Sequence, residues 1–456
     1  ALFELDLLGP TGNIGSTINQ RALETLPVVG TRGRNPLDLL NFQPGFVSGA
    51  NTGGGTHVHG SRDRAFNFTL DGVDVNESSA GGSNFTPLRM NPDSLQEFQV
   101  VTGSFTAELG RSSGAQVTMV TKSGGNQIHG NAFEFYQTPR FNAKSYTGNI
   151  NNLPKDQFVQ HIFGGTISGP IIKDKFFYFA NLQMLRAYDT ALVTRTVYTQ
   201  SLRSGVFRYV VGRANAPNGT ATAAVDANGA SLLPPCSATV TTLCIATYNI
   251  AANPAGITPD STLLAQITGQ PLPNNFNTGD GLNTAGFNFA SPQHEKQYDL
   301  VTRFDYSLNE KNLFYVRYAQ GEQNSLGDSA NAGRPVFPNS PNFVNTYRDP
   351  KNLAINYRWS PTNRFINEFI LGLNKFAFSF DTEKPDPSIP YAFLDIATAN
   401  TNFVRNARRL QTWQYIDNVT LDFSPHVIKA GVNFRFGRQI DDRSSVAGVG
   451  LEPTVT

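Results

Sequence analysis

The 456-residue chain is poor in cysteine (2), methionine (3) and tryptophan (2), and it has no apolar run approaching the roughly eighteen residues that a membrane helix needs. Helical membrane insertion is therefore excluded. Charge is sparse and balanced. Only 16% of residues are Asp, Glu, Lys or Arg, and the formal net charge is +1. That balance removes the electrostatic case for nucleic acid or an acidic surface as partner. No Gly-x-Ser-x-Gly elbow, P-loop or His-Glu-x-x-His is present, so no enzyme and no cofactor are expected. The opening Ala-Leu-Phe-Glu has no initiator Met, basic segment or apolar segment of a signal peptide, and an export signal is expected upstream of it.

What the chain has instead is aromatic residues and glycine: 34 Phe, 15 Tyr and 41 Gly. Such a composition without long apolar runs fits an outer-membrane barrel, where apolar residues occupy every second position. A soluble all-β protein shares it. From about Asn126 the pattern has a period of two. Asn131, Phe133 and Phe135 alternate with Ala132, Glu134 and Tyr136, and eight similar segments follow, near 158–168, 175–188, 298–306, 313–318, 353–359, 365–378, 413–423 and 428–436. Leu353, Ile355, Tyr357 and Trp359 form one face of their strand; Ala354, Asn356 and Arg358 form the other. Ile428, Ala430, Val432, Phe434 and Phe436 likewise oppose Lys429, Gly431, Asn433 and Arg435.

The connections separate the two alternatives. Short ones (Gly169–Asp174, Ser307–Lys311, Ser360–Asn363, Ser424–His426) alternate with long ones at about 143–156, 199–293, 320–347 and 381–409. Strict alternation puts every long loop at one end, as in outer-membrane barrels with short periplasmic turns and long extracellular loops. A sandwich has no reason to do so. Nine strands are odd and open, whereas a single-chain bacterial barrel is even and closed. The nine are thus expected to be the first part of a larger wall. Cys236 and Cys244 lie close together in a polar, Pro-rich segment with no His nearby, and a local disulfide is expected if that segment is extracytoplasmic.

Residues 1 to about 125 form a separate unit. Short strands are expected at Thr17-Ile18 and on either side of the Asp71-Gly72 turn. Helical turns are expected at Gln20–Leu26 and Pro36–Leu40. Three stretches in this unit carry a family resemblance. Leu70-Asp-Gly-Val-Asp74 resembles the apolar-Asp-Gly turn of the plug domain of TonB-dependent outer-membrane transporters. Gln96-Glu-Phe-Gln-Val-Val-Thr-Gly103 and Gly114-Ala-Gln-Val-Thr-Met-Val-Thr-Lys122 resemble that plug's two strands. Gly110-Arg-Ser-Ser-Gly114, Gly169-Pro-Ile-Ile-Lys-Asp-Lys-Phe-Phe-Tyr178 and Pro271-Leu-Pro-Asn274 resemble the Oar-like branch.

The resemblance implies an α+β plug domain over 1–125 and an all-β antiparallel transmembrane β-barrel over 126–456. The barrel would be truncated, with about nine of an expected 22 strands. It also implies a bacterial outer-membrane receptor that imports an organic ligand (peptide, glycan or siderophore-like), coupled to the TonB–ExbB–ExbD complex and embedded in outer-membrane lipid. A surface adhesion receptor without net import is the alternative. In this family the plug's apical loops meet ligand, which points to Arg62, Arg64, Asn76, Glu77, Asn84 and Arg89. Gating between plug and wall is expected from Glu108, Arg111 and Glu134, with Arg111 paired to Glu134 on the lumen face. His57-x-His59 lacks the further ligands of a zinc site, and Asp71 and Asp74 are read as turn residues rather than a calcium site.

Overall fold

The computed structural model describes residues 4–6, 14–19, 23, 34–48, 56–62, 65–76, 88–105, 110, 112–144, 146, 149, 155, 157–252, 256, 258, 260–381, 392–393, 395–397, 405–443 and 454–455. The first unit is built on a six-stranded sheet. Its strands are β1 (Glu4–Asp6), β2 (Ile14–Asn19), β5 (Phe66–Leu70), β6 (Val73–Asp74), β7 (Leu95–Gly103) and β8 (Ala115–Thr121), in the order β1-β2-β7-β8-β5-β6. β3 (Phe46–Ser48) and β4 (Thr56–Val58) pair separately. β5 and β8 run parallel; the other pairs of the sheet are antiparallel.

A 3-10 helix at Pro36–Phe42 packs on this sheet. Asn35 accepts from the Leu37 amide, and Pro36 opens the helix at a position where its missing N–H leaves nothing unpaired. Leu39, Leu70, Leu95 and Phe98 are fully buried in the shared core, each worth about 1.5–3 kcal/mol relative to exposure. The helical turn expected at Gln20–Leu26 lies outside the described residues apart from Leu23.

Nine strands follow, all antiparallel and each beside its neighbour in the chain. They are β9 (His129–Gln137), β10 (Gln157–Ile172), β11 (Phe176–Tyr198), β14 (Thr284–Asn309), β15 (Asn312–Leu326), β16 (Asn345–Thr362), β17 (Phe365–Asp381), β19 (Asn406–Phe423) and β20 (His426–Arg443). β9 and β20 are the two edges of the sheet. Two further short pairs lie among the described residues: β12 (Val206–Val210) with β13 (Ile245–Asn249), and β18 (Ala392–Phe393) with β21 (Thr454–Val455). Tight turns join β10 to β11, β14 to β15, β16 to β17 and β19 to β20, where the sequence places its short connections.

Alternation divides this wall into two faces. Phe179, Val301 and Ala319 point inward and join the plug's core. On the outer face Leu182, Phe304, Tyr306, Phe434 and Phe436 remain between 38% and 63% exposed, which is the side that meets lipid. This outer band runs from Phe176 to Met184 on β11 and from Tyr306 to Tyr298 on β14, and it stops at the opposed pair Arg186 and Lys296. At ~3.3 Å per residue that stretch matches an outer-membrane apolar band.

β11 and β14 continue well beyond the band and carry a folded insertion over 199–283. Val210, Ala224, Val225, Ile245 and Leu282 form its own small core. Asp260 caps a helix over Ser261–Gly269, and Arg203 donates to the carbonyls of Gln270 and Pro271 at 2.6 Å each. Cys236 and Cys244 are joined in a disulfide with their Cα atoms 4.9 Å apart. A cross-link across so short a loop restricts the unfolded chain by about 2–3 kcal/mol. Replacing both cysteines with serine is expected to speed protease cleavage within 199–283 in intact cells and leave the wall's heat stability unchanged; gel analysis after protease shaving reads both.

Candidate functional site: a latch between plug and wall

The tip of the β5–β6 hairpin is where the two units meet most closely. Asp71 and Gly72 both adopt the left-handed conformation, with φ of 48° and 80°. That is the two-residue hairpin turn for which Asp-Gly is suited. The turn pushes the Asp71 carboxylate out of the plug sheet and against the wall. There its side chain is 2% exposed. Oδ1 accepts from the Thr121 amide at 2.9 Å, and Oδ2 accepts from the Thr121 hydroxyl at 2.9 Å and from Arg317 Nε at 2.9 Å.

Arg317 has no exposed surface. It also donates to the Leu70 carbonyl at 3.0 Å and to the Asn352 carbonyl at 3.2 Å. A second guanidinium, Arg303, lies 3.6 Å from Asp71 Oδ1 while forking onto Asp305 at 2.8–3.0 Å. Its carbon sits 4.1 Å from the Tyr315 ring centroid, in cation–π range.

Asp74, at the other end of the turn, repeats the arrangement on later strands. Its carboxylate meets Arg435 Nη1 at 3.0 Å, and its amide donates to Gln414 Oε1 at 2.9 Å. Between the two aspartates Val73 fits a recess made by the missing side chain of Gly372; a Cβ there would lie 2.7 Å from Val73 Cγ1. A five-residue hairpin thus touches β14, β15, β17, β19 and β20. A second contact lies at the first wall strand, β9. Arg34, paired to Asp93 at 2.6 Å, stacks on the rings of Phe133 and Phe135 at 5.2 and 4.8 Å from their centroids.

Comparison with known proteins agrees with this architecture. A family model described as an outer membrane beta barrel domain matches residues 120–450, and one described as a TonB-dependent receptor plug domain matches residues 22–117. The chain is a TonB-dependent receptor of the bacterial outer membrane. The receptor is 29% identical to the TonB-dependent transporter Oar of Myxococcus xanthus over 185 residues, 38% of this chain and 17% of that protein. The outer membrane transporter YddB of Escherichia coli superposes with a TM-score of 0.56 at 9% identity. The siderophore receptor PirA of Acinetobacter baumannii does so with 0.52 at 14%. Each superposition covers 94% of this chain and 49% of the other, so the receptor chain spans about half the length of these solved structures.

Several residues singled out from the receptor's sequence have other surroundings than expected. Glu134 does not face the lumen. Phe133 and Phe135 turn inward to Arg34, so Glu134 between them points outward, where His161 Nδ1 lies 3.0 Å from its carboxylate. Its expected partner Arg111, and Glu108, Arg64, Glu77 and Asn84, lie outside the described residues. Asn76 is tied into the hairpin: its amide nitrogen donates to Asp74 Oδ1 at 2.6 Å and Asn67 Oδ1 at 2.8 Å, and its oxygen accepts from the Phe68 amide. Arg62 is exposed, and Arg89 borders a cavity against the wall. His57 Nδ1 is held by the Ser61 carbonyl at 2.7 Å.

Arg317 and Gln414 were not singled out from the sequence. Their only signal is a polar side chain on the inward phase of an otherwise alternating strand. Arg303 and Arg435 also lie on the inward phase of their strands and meet the plug's aspartates.

Burial pushes the Asp38 carboxyl of the 3-10 helix above the usual carboxylate range, against the pull of the Arg89 charge. A folded-state pKa above the unfolded one favours folding while the group is protonated. That contribution is full below the unfolded value and is lost as pH rises through the folded one. Asp38→Asn is therefore expected to raise the receptor's melting temperature at pH 7 and to leave it unchanged at pH 3; differential scanning fluorimetry at both pH values checks this.

Proposed function

We propose that the receptor imports an organic ligand across the outer membrane and that the Leu70–Asp74 hairpin latches its plug to the wall between import events. The buried Asp71–Arg317 pair carries this reading. A carboxylate with almost no solvent exposure is stable only while its full set of donors is in place. Those donors come from two units that must separate for anything to pass. A small displacement breaks the set as a whole, so the latch is held or released and has no half-open state. Energy delivered by the TonB–ExbB–ExbD complex to the N-terminal side of the plug supplies the release. Arg62 and Arg89, with Arg64, Glu77 and Asn84 by family resemblance, meet the ligand, while Asn76 shapes the hairpin.

The test is comparative depletion of growth medium by the native cell, a receptor deletion and a tonB deletion. The same compounds are expected to remain unconsumed in both deletions. A receptor deletion that consumes everything the native cell does would overturn import. The alternative, a surface receptor without net import, draws on the insertion's own core and disulfide. It predicts lost surface attachment with an unchanged depletion profile.

A further inference from the structure

The lipid-facing band of the wall ends in cations. On β11, β14, β16, β17 and β20 the band reaches Met184, Tyr298, Leu353, Leu373 and Phe436. The next outward residue on each strand, toward the long loops, is Arg186, Lys296, Lys351, Lys375 and Arg438 in turn. Two of these steps set like charges side by side. Arg186 stands directly opposite Lys296, and Lys351 directly opposite Lys375. Gln411 of β19 separates Lys375 from Arg438 in the same row, and Arg409 lies two residues along from it. Like charges directly opposite across a ladder destabilise the pairing. Lys351 is met by Asp349 at 2.8 Å. Arg186, Lys296, Lys375, Arg409 and Arg438 are exposed, and none of them forms an ion pair with a carboxylate among the described residues. Between the two groups β15 presents Glu322, directly opposite Tyr298, so the cations form two separate clusters and not a continuous ring.

We propose that the long-loop rim of the band holds lipids headed by a phosphomonoester, one at Arg186 and Lys296 and one at Lys375, Arg409 and Arg438. Three features select this class. Clustered cations without carboxylates call for an anion. Their place at the end of the apolar band calls for an anion that carries hydrocarbon. A phosphate at Arg186 leaves its chains over Leu182 and Met184, and one at Lys375 leaves them over Leu371 and Leu373; free phosphate covers none of that surface. The charge calls for a monoester. Two or three cations in one cluster exceed the single charge of a phosphodiester, whereas a phosphomonoester carries about −1.5 to −2 at pH 7. Lys and Arg stems lie along apolar surface while their charged ends reach the headgroup level, and the Gln411 amide adds N–H donors to the second cluster. Binding also relieves the repulsion between the paired strands, so the lipid stabilises the wall. Both clusters lie on the outward face, and they stand whether or not the receptor imports anything.

The experiment is native mass spectrometry of the purified full-length receptor released from phosphatidylcholine nanodiscs. The discs are doped with phosphatidic acid, a phosphomonoester, or with phosphatidylglycerol, a phosphodiester. The native receptor is expected to retain phosphatidic acid in preference to phosphatidylglycerol, and to melt at a higher temperature in its presence. Arg186→Gln with Lys296→Gln is expected to lose one retained phosphatidic acid, and Lys375→Gln with Arg438→Gln another. Each variant's melting temperature in undoped discs shows that it folds, and the single replacements Lys296→Gln and Lys375→Gln serve where a double variant does not. Retention of phosphatidic acid unchanged in both variants overturns the proposal, as does equal retention of the two lipids by the native receptor. Inorganic phosphate added to undoped discs is expected to leave the melting temperature where it is. A rise matching that given by phosphatidic acid would overturn the assignment to a lipid.

Discussion

Arg317→Met is expected to loosen the plug, because it leaves the Asp71 carboxylate buried against the wall without its shortest charged partner. Removing one member of a buried ion pair costs about 3–5 kcal/mol, far more than the pair contributes relative to apolar replacements of similar volume. Arg303, 3.6 Å from the other oxygen and already forked onto Asp305, is too committed to substitute. The observable is permeability. Cells carrying the variant should become sensitive to large antibiotics that the native wall excludes, and the purified full-length receptor should melt at a lower temperature. Asp71→Asn on the Arg317→Met background should recover part of the lost stability, since it removes the stranded charge. If Arg317→Met cells stay as resistant and as heat-stable as native ones, the hairpin does not hold the plug.

Joining the two sides covalently should have the opposite effect. The Cβ position at Gly372 lies 3.3 Å from Val73 Cβ, only slightly closer than disulfides ordinarily require. The pair Val73→Cys and Gly372→Cys is expected to form a bond without added oxidant as the receptor is exported. Import should then be abolished, and a reductant that reaches the site should restore it, while ligand binding to the purified receptor persists throughout. Import that continues at the native rate with the bond demonstrably formed would show that the plug moves elsewhere and that this hairpin is a fixed anchor. Gly372→Ser serves as control for the lost recess.

The wall was legible because lipid imposes a strict rule on it. Where one face of a strand meets lipid, every second residue is apolar, and the nine segments and four tight turns follow from that alternation. Beyond the band both faces meet water and the pattern disappears. For that reason β14 begins at Thr284, ten residues before the connection ends in a reading by alternation alone. The first wall strand misleads for a related reason. Phe133 and Phe135 look like a lipid face, but their rings cover Arg34, and a cation on an aromatic face leaves no mark on the strand's own sequence. In the hairpin, Asp-Gly announces the turn. Nothing local announces that both carboxylates are claimed by arginines on distant strands, since such pairing is a property of the closed arrangement of the two units.

Distance along the chain is itself informative. The Asp74 amide is bonded to a side chain 340 residues later, and its carboxylate to one further on still, on β20. Contacts of such separation form late, after a large loss of chain entropy has been met by other structure. The plug is among the first parts of this polypeptide to be made, yet part of its fastening, the Asp74 contacts with Gln414 and Arg435, comes from the last strands of the described wall. During assembly the plug's own core, with Ile18, Leu70 and Phe98 buried within it, must therefore keep it intact while it waits unfastened. Full fastening of the hairpin therefore waits until β19 and β20 are in place, which ties the hold on the plug to strands made long after it.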